Sequence, residues 1–531
     1  MPIARWITIV SLLGLLFVGN LQAAPPAKPN FLIILADDLG YGDVQCYNPE
    51  RGKIPTPHID RLAAGGMRFT DGHCSSGCCS PSRYTLLTGR YHWRSRLQQG
   101  IVAAWEKPLI APDRLTIAKL AQEQGYRTAC IGKWHLGWDW PIEPEQMAHF
   151  RGLGGKSGGG GTVTTNVTDA HRSTWADVFR KPISGGPTTR GFDEYFGTDV
   201  PNWPPYCFIQ NDRTIGIPSE LLPADLLVRN QASLQGPALK DWKLEPILPA
   251  LGERAADFIA RQAKAGQPFL VYLPLTAPHT PIAPSPSFRG RSGIGDYGDF
   301  VMQTDVVIGR VLEALDQNGV ADNTCVLLTS DNGCASYIGV KEMEAQGHYP
   351  SGPLRDYKAS VYEGGHREPF IVRWPGVVKT SSVCHHYVHH ADLIATLAAI
   401  WNVKLPDDAG EDSFNLLPLL KGDDRPIRPH GVNTACNGVP SVRRGAWKLI
   451  LQADEAAKTE VQLYNLATDL GETKNVAAEN PTLVTEMRAL LETLITNGRS
   501  TPGAVQKNDV RVRRYPLSDM PAAKAKAKKA K

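Results

Sequence analysis

Four short apolar runs recur along the chain, at 31–35, 126–131, 269–273 and 325–328, and each gives way to polar residues. Their continuity and length predict strands buried on both faces. Helix patterns lie between them. Thr56-Pro57 places a cap residue before a proline suited to a first helical position. Ile117, Leu120 and Ala121 share one helical face that stops at Gly125. Ala255, Phe258 and Ile259 form another that ends near Gly266. Ile308, Val311, Leu312 and Leu315 form a further face, closed by Gly319. This alternation predicts an α/β sandwich around a large, mostly parallel central sheet.

The rhythm breaks over 150–245, which is rich in Gly, Pro and Thr and includes Gly158 to Gly161. That stretch is expected to form long loops rather than a domain. From about residue 425 the pattern changes to short strand-like runs at 447–451 and 461–464 and a helix near 481–497. A smaller C-terminal α+β subdomain is therefore expected over 426–515, after a main unit at 25–425. No internal repeat is visible.

Composition refines the ends. Arg5, the apolar stretch 6–18 and Leu21-Gln22-Ala23 have the order of a secretory signal, placed at 1–24. The apolar stretch falls short of the roughly 20 residues that span a bilayer. The expectation is an exported protein, secreted or periplasmic, with no stable membrane span. The formal net charge of +4 is concentrated at the termini: without Arg5 and the five lysines of the Lys/Ala-rich tail at 516–531 it becomes about −2. The body thus carries no nucleic-acid signature. The tail has the composition of a disordered charged end, or of a contact to an anionic polymer or surface. Ten cysteines in 531 residues are too sparse for a disulfide scaffold. Three of them, Cys74, Cys78 and Cys79, nevertheless fall within six positions.

The chemistry gathers after the apolar runs. The first leads into Asp37 and Asp38, the second into Lys133 and His135, the third towards His279 and the fourth into Asp331 and Asn332. In open α/β sheets, ligand sites form at the carboxyl ends of strands, so these tips are expected to converge. Aspartates and asparagine are hard oxygen donors that suit Ca²⁺ or Mg²⁺ better than zinc. Taken singly, an Asp-Asp pair is an ordinary turn or cap, a lysine a solvated surface group, and a histidine a structural hydrogen-bonding residue. Taken together with Lys358, they describe a pocket for a compact oxyanion such as phosphate or sulfate.

Cys79-Ser-Pro81-Ser-Arg83 followed by Leu86-Leu-Thr-Gly-Arg90 resembles the signature of type I sulfatases. Asp37-Asp38-Leu-Gly-Tyr-Gly-Asp43, Gly132-Lys133-Trp-His135, Ala277-Pro-His279-Thr-Pro281 and Ser330-Asp331-Asn332-Gly333 are similar to that family's motifs in the same order. So is the stretch from Gly352 through Lys358 into Tyr362-Glu-Gly-Gly-His-Arg-Glu-Pro369. The resemblance runs from about 30 to 475. It implies an alkaline-phosphatase-like fold, a catalytic domain over 25–425, and arylsulfatase or N-acetylgalactosamine-6-sulfatase-like chemistry.

It also implies that Cys79 is oxidised to Cα-formylglycine by a maturation enzyme, because only Cys79 has proline two and arginine four residues on. A hydrated aldehyde offers one hydroxyl to attack sulfur and a second whose deprotonation expels sulfate. By the same resemblance, Asp37, Asp38, Asp331, Asn332 and residue 79 hold the metal. Arg83 stabilises the hydrate, and His135 hydrogen-bonds it and takes its proton. Lys133 and Lys358 bind sulfate, and His279 protonates the leaving oxygen. A serine that the family sometimes places near sulfate has no motif here; Ser173 lies in a suitable region.

Substrate choice is weakly encoded. Tyr91-His92-Trp93-Arg94-Ser95-Arg96 and Asn202-Trp203-Pro-Pro-Tyr206 are rich in aromatic and basic residues suited to a sulfated sugar. Ordinary loop packing explains them equally well. The expected substrate is sulfated carbohydrate, attacked from its end, with aryl sulfates as convenient test compounds. The rivals are a phosphate or phosphonate ester hydrolase of the same superfamily and a non-catalytic glycan-binding protein.

Overall fold

The computed structural model describes residues 28–151, 167–227, 233–452 and 461–514. The expected leader, the glycine run at 158–161 and the Lys/Ala tail lie outside the described residues.

Ten strands build the main sheet. In chain order they are β1 (Asn30–Asp37), β2 (Met67–Phe69), β3 (Arg127–Ile131), β4 (Glu194–Gly197), β5 (Ile209–Gln210), β6 (Arg213–Thr214), β7 (Phe269–Pro278), β8 (Thr324–Ser330), β9 (Phe370–Arg373) and β10 (Ser382–Cys384). Their spatial order is β10-β2-β9-β8-β1-β7-β3-β4-β5-β6. The central five, from β8 to β4, are parallel, and antiparallel pairs appear only towards the flanks. The four predicted apolar runs are β1, β3, β7 and β8, four adjacent strands.

Their continuous apolarity has a simple cause. Alternate residues of β1 enter two different cores, Phe31, Ile33 and Leu35 on one face and Leu32, Ile34 and Ala36 on the other. Helices cover both faces: α1 (Pro57–Ala64), α2 (Cys79–Thr88), α3 (Ile117–Glu123), α4 (Asp169–Phe179), α5 (Ile247–Ala265) and α6 (Asp296–Gln317). Leu86, Ile117 and Trp175 of α2, α3 and α4 join the first core. Ile59, Phe258 and Val311 of α1, α5 and α6 join the second.

Two local expectations change. Thr56 precedes α1 but does not cap it with its side chain, which instead accepts the Gln45 N–H at 2.9 Å. Asp305 of α6 takes over, accepting the N–H groups of His58 and Ile59 at 3.2 and 2.8 Å. The segment 150–245, expected as loops, also supplies α4 and extends the sheet through β4, β5 and β6. These strands are two to four residues long, too short to show a period.

Beyond residue 425, β11 (Gly431–Thr434), β12 (Pro440–Arg444), β13 (Trp447–Leu451) and β14 (Val461–Asn465) form an antiparallel sheet in sequential order. Met487, Leu491 and Leu494 from the helix Pro481–Thr496 share a core with Val442, Leu449 and Leu463 of this sheet. Tyr91 and Trp93 belong to that same core. Arg94 is fully buried and grips Asp412 through Nε and Nη2 at 2.9 and 2.8 Å. His92 is buried between Ser75 and Thr434. The residues Tyr91 to Arg94 therefore join the two sheets and do not face a substrate; an aromatic and basic composition served packing here.

Candidate active site

The carboxyl ends of β8, β1, β7 and β3 lie side by side, and all four predicted tips meet there. Sharp backbone turns aim the side chains. Asp38 after β1 (φ 63°) and His135 after β3 (φ 53°) adopt left-handed conformations, and so do Asp356 and Ala359 flanking Lys358 (φ 69° and 74°). Such residues cost about 1–3 kcal/mol each and persist only where surrounding contacts hold them. Asp38 is held by its own N–H bond to Asp331 Oδ1 at 3.2 Å. Gly132, before Lys133, has φ 139°, and a Cβ there would lie 1.8 Å from the Pro274 carbonyl oxygen. Only glycine lets β3 pass β7 so closely at this point.

Cys79 is the first residue of α2, and all ten residues of this helix are buried. The helix dipole therefore favours negative charge at residue 79. Arg83, one turn later, donates from Nε and Nη2 to Asp331 Oδ2 at 3.0 and 2.7 Å, and from Nη1 to the Lys133 carbonyl at 2.9 Å. Lys133 Nζ bonds both oxygens of Asp37, at 3.0 and 2.7 Å. Lys358 Nζ bonds both oxygens of Asp38, at 2.6 and 2.7 Å, and lies 3.7 Å from Cys79 Sγ. Asn332 donates to Asp38 Oδ1 at 2.6 Å. One ligating atom each from Asp37, Asp38, Cys79 and His279 falls within 4.8 Å of the others. All ten predicted residues are thus brought into one buried cluster or its immediate support.

The electrostatics are balanced. Three carboxylates face three permanent cations, so a divalent cation added to this set would create a positive pocket that an oxyanion neutralises. Two buried atoms have no hydrogen-bond partner here, Asn332 Oδ1 and His135 Nδ1. A buried carbonyl oxygen beside three carboxylates suits a hard cation. Burial pushes the Cys79 thiol up to about 12 despite the nearby Lys133 and Lys358. Burial raises the Asp37 carboxyl, but Lys133, His279 and Arg83 outweigh it and hold the group below its ordinary value. Burial lowers both His135 and His279; Asp38 and Asp37 pull His279 back up.

The Sulfatase family model matches residues 29–403, which carry this entire cluster. The chain belongs to the sulfatase family. An N-acetylgalactosamine-6-O-sulfatase of Bacteroides thetaiotaomicron is 34% identical over 522 residues, covering 88% of this chain and 93% of that relative. Human arylsulfatase A is 30% identical over 513 residues, covering 90% of each. A solved structure described under the metabolism of multiple glycosaminoglycans by B. thetaiotaomicron superposes with a TM-score of 0.74 at 31% identity, covering 88% of this chain and 99% of that one. The protein is accordingly a sulfuric ester hydrolase with the alkaline-phosphatase-like α/β fold.

Sequence reasoning missed the groups that hold this sulfatase site in place. Asp199 accepts the His135 N–H at 3.2 Å. Asp43 accepts from Gly40 N–H and the Tyr297 hydroxyl at 2.8 and 2.6 Å and contacts His348 at 2.8 Å, fixing the loop after β1. Asp43 closes the motif that begins at Asp37; Asp199 gives no local signal. Ser173 is exposed on α4. All ten cysteines are free thiols, with Cys74 buried against the Ser76 carbonyl at 3.1 Å and Cys78 against the Gly100 carbonyl at 3.5 Å. Among the described residues no helix is long and apolar enough to cross a membrane.

Proposed function

We propose that this sulfatase is exported and removes sulfate from the end of sulfated carbohydrate chains, using residue 79 after its oxidation to Cα-formylglycine by a maturation enzyme, together with a divalent cation, Ca²⁺. The observation that carries this is the burial of the cluster. Residue 79 is 2% exposed and His279 6%, so a sulfate on a chain end reaches them more readily than one in the middle of a chain. The Bacteroides relative, an N-acetylgalactosamine-6-O-sulfatase, supports a sulfated sugar.

The cation would be held by Asp37, Asp38, Asp331, Asn332 and an oxygen of residue 79, and the unpartnered Asn332 Oδ1 fits that task. When bound and formed, the cation supplies charge neutralisation and the aldehyde a nucleophile with a built-in route to release sulfate. The chain's own residues do the rest. Lys133 and Lys358 bring two ammonium groups to the sulfate oxygens. Arg83, paired with Asp331, orients residue 79. His135 donates from Nε2 to the Val102 carbonyl at 3.1 Å, which leaves Nδ1 as an acceptor able to take a proton. His279 donates from Nδ1 to the Thr280 carbonyl at 2.5 Å, which leaves Nε2 for the leaving oxygen.

A panel of sulfated monosaccharides, aryl sulfates and the matching phosphate esters on one preparation tests the substrate class. Sulfated sugars are expected to turn over and phosphate esters to fall far behind. Turnover of aryl sulfates without any sulfated sugar would remove the carbohydrate assignment. His279→Ala is expected to slow a sugar sulfate by about 10²–10⁴-fold. An activated aryl sulfate, whose leaving group needs less protonation, should lose much less; equal losses would remove the acid role. Chelation followed by dialysis is expected to abolish activity and lower the melting temperature, and Ca²⁺ to restore both. Full activity after exhaustive chelation would exclude the cation.

A further inference from the structure

The loops that support the buried cluster also carry two aromatic rings beside it. Trp203 is half-buried, and its ring meets the His135 ring edge-on, with centroids 5.5 Å apart. Its loop is pinned from within: Asp199 holds the His135 N–H, the Trp203 N–H bonds the Val200 carbonyl at 3.3 Å, and the Asn202 carbonyl accepts from the Tyr206 hydroxyl at 2.7 Å and from the Leu234 N–H at 3.0 Å. Tyr337 is half-buried on the turn Ser336–Ile338, shortly after Asn332, and its hydroxyl lies close to Thr280, the residue after His279. Lys358 and Asp38 are also near enough to act on it electrostatically.

The contrast with the groups below is informative. His135, His279, Lys133 and Asp38 are buried, whereas these two rings keep exposed surface next to them. A sulfate needs the charges underneath. The ring of the sugar that bears it presents apolar C–H faces, which pack on aromatic rings and gain nothing from a lysine. The pinned loops keep both rings in place before substrate arrives, so little ordering is needed on binding. Of the two aromatic and basic stretches, the one at 91–96 commits Tyr91 to Arg94 to the joint between sheets; the one containing Trp203 reaches the site.

We propose that Trp203 and Tyr337 are the specificity-determining walls that hold the sugar ring above the sulfate pocket. This rests on the carbohydrate assignment made above. Trp203→Ala is expected to raise KM for a sulfated N-acetylhexosamine by about tenfold with kcat nearly unchanged, equivalent to about 1.4 kcal/mol. Trp203→Phe should recover most of that loss. Tyr337→Ala should raise KM similarly, and Tyr337→Phe only slightly. Inorganic sulfate, measured as an inhibitor of aryl sulfate turnover, reports the pocket beneath, and its inhibition constant should not move in any of the four variants. An unchanged KM for the sugar in Trp203→Ala, or a fall in kcat that Trp203→Phe does not repair, would overturn the proposal. So would a weakened inhibition by sulfate, because the rings would then be shaping the anion pocket. If the wild-type protein turns over no sulfated sugar at all, the carbohydrate assignment falls first and the subsite falls with it.

Discussion

Cys79→Ala is expected to reduce turnover of any sulfate ester by on the order of 10⁴-fold or more, the scale of losing a covalent nucleophile. The size follows from what remains. Alanine keeps the lysines, the carboxylates and the fold, so binding survives while the attacking group is gone. The expectation also separates an aldehyde from a thiol. Burial pushes the thiol of an unmodified Cys79 up to about 12, against the thiolate form a cysteine nucleophile needs. Mass spectrometry of the peptide containing residue 79 should therefore find the aldehyde in active wild-type protein, at a level that tracks specific activity. Full activity from protein whose residue 79 is wholly cysteine would sink the mechanism.

Asp412→Ala should produce the largest loss of stability, about 3–5 kcal/mol, because it leaves the Arg94 guanidinium buried without its partner. Asp412 also accepts the Tyr91 N–H at 2.7 Å and the Ser500 hydroxyl at 2.5 Å, so three donors are orphaned together. Calorimetry or thermal melts would show it, and Arg94→Met combined with Asp412→Leu should recover part of the loss. A wild-type melting temperature in Asp412→Ala would mean that the joint contributes little. Acid gives a second check. Burial raises the Asp412 carboxyl, but Arg94 and Ser500 outweigh it and hold the group below its ordinary 3.8. A depressed carboxylate stabilises fully above the unfolded value and loses that contribution as pH falls through the folded value. The gap between wild type and variant should therefore be constant near neutrality and narrow only in strong acid, below about pH 4.

What could be read from the chain and what could not divide along a physical line. The strands β1, β3, β7 and β8 were legible because helices cover both faces, and that forces an unbroken apolar run. Asp37, Asp38, Lys133, His135, His279, Asp331 and Asn332 were legible as a group because each lies at or just after a strand end, so the sequence neighbour is also the spatial neighbour; Cys79, Arg83 and Lys358 were legible only through their motifs. Tyr91 to Arg94 stayed ambiguous because their partners, Asp412, Val432 and Leu494, lie hundreds of residues downstream. Nothing local distinguishes a tryptophan that packs under a second sheet from one that meets a sugar. The strand β4 went unseen because four residues, Glu194–Gly197, are too few to establish a period. Asp199 and Asp305 act by accepting backbone N–H groups, a task that any well-placed carboxylate can perform and that leaves no motif.

The joint also sets an order of events during synthesis. The helix that begins at residue 79 runs directly into Arg90 and Arg94, which bond Asp509 and Asn508. A ribosome makes residue 79 before those two partners, which lie 419 and 414 residues downstream of the arginines they bond. Until they emerge, this helix cannot complete the contacts that bury it.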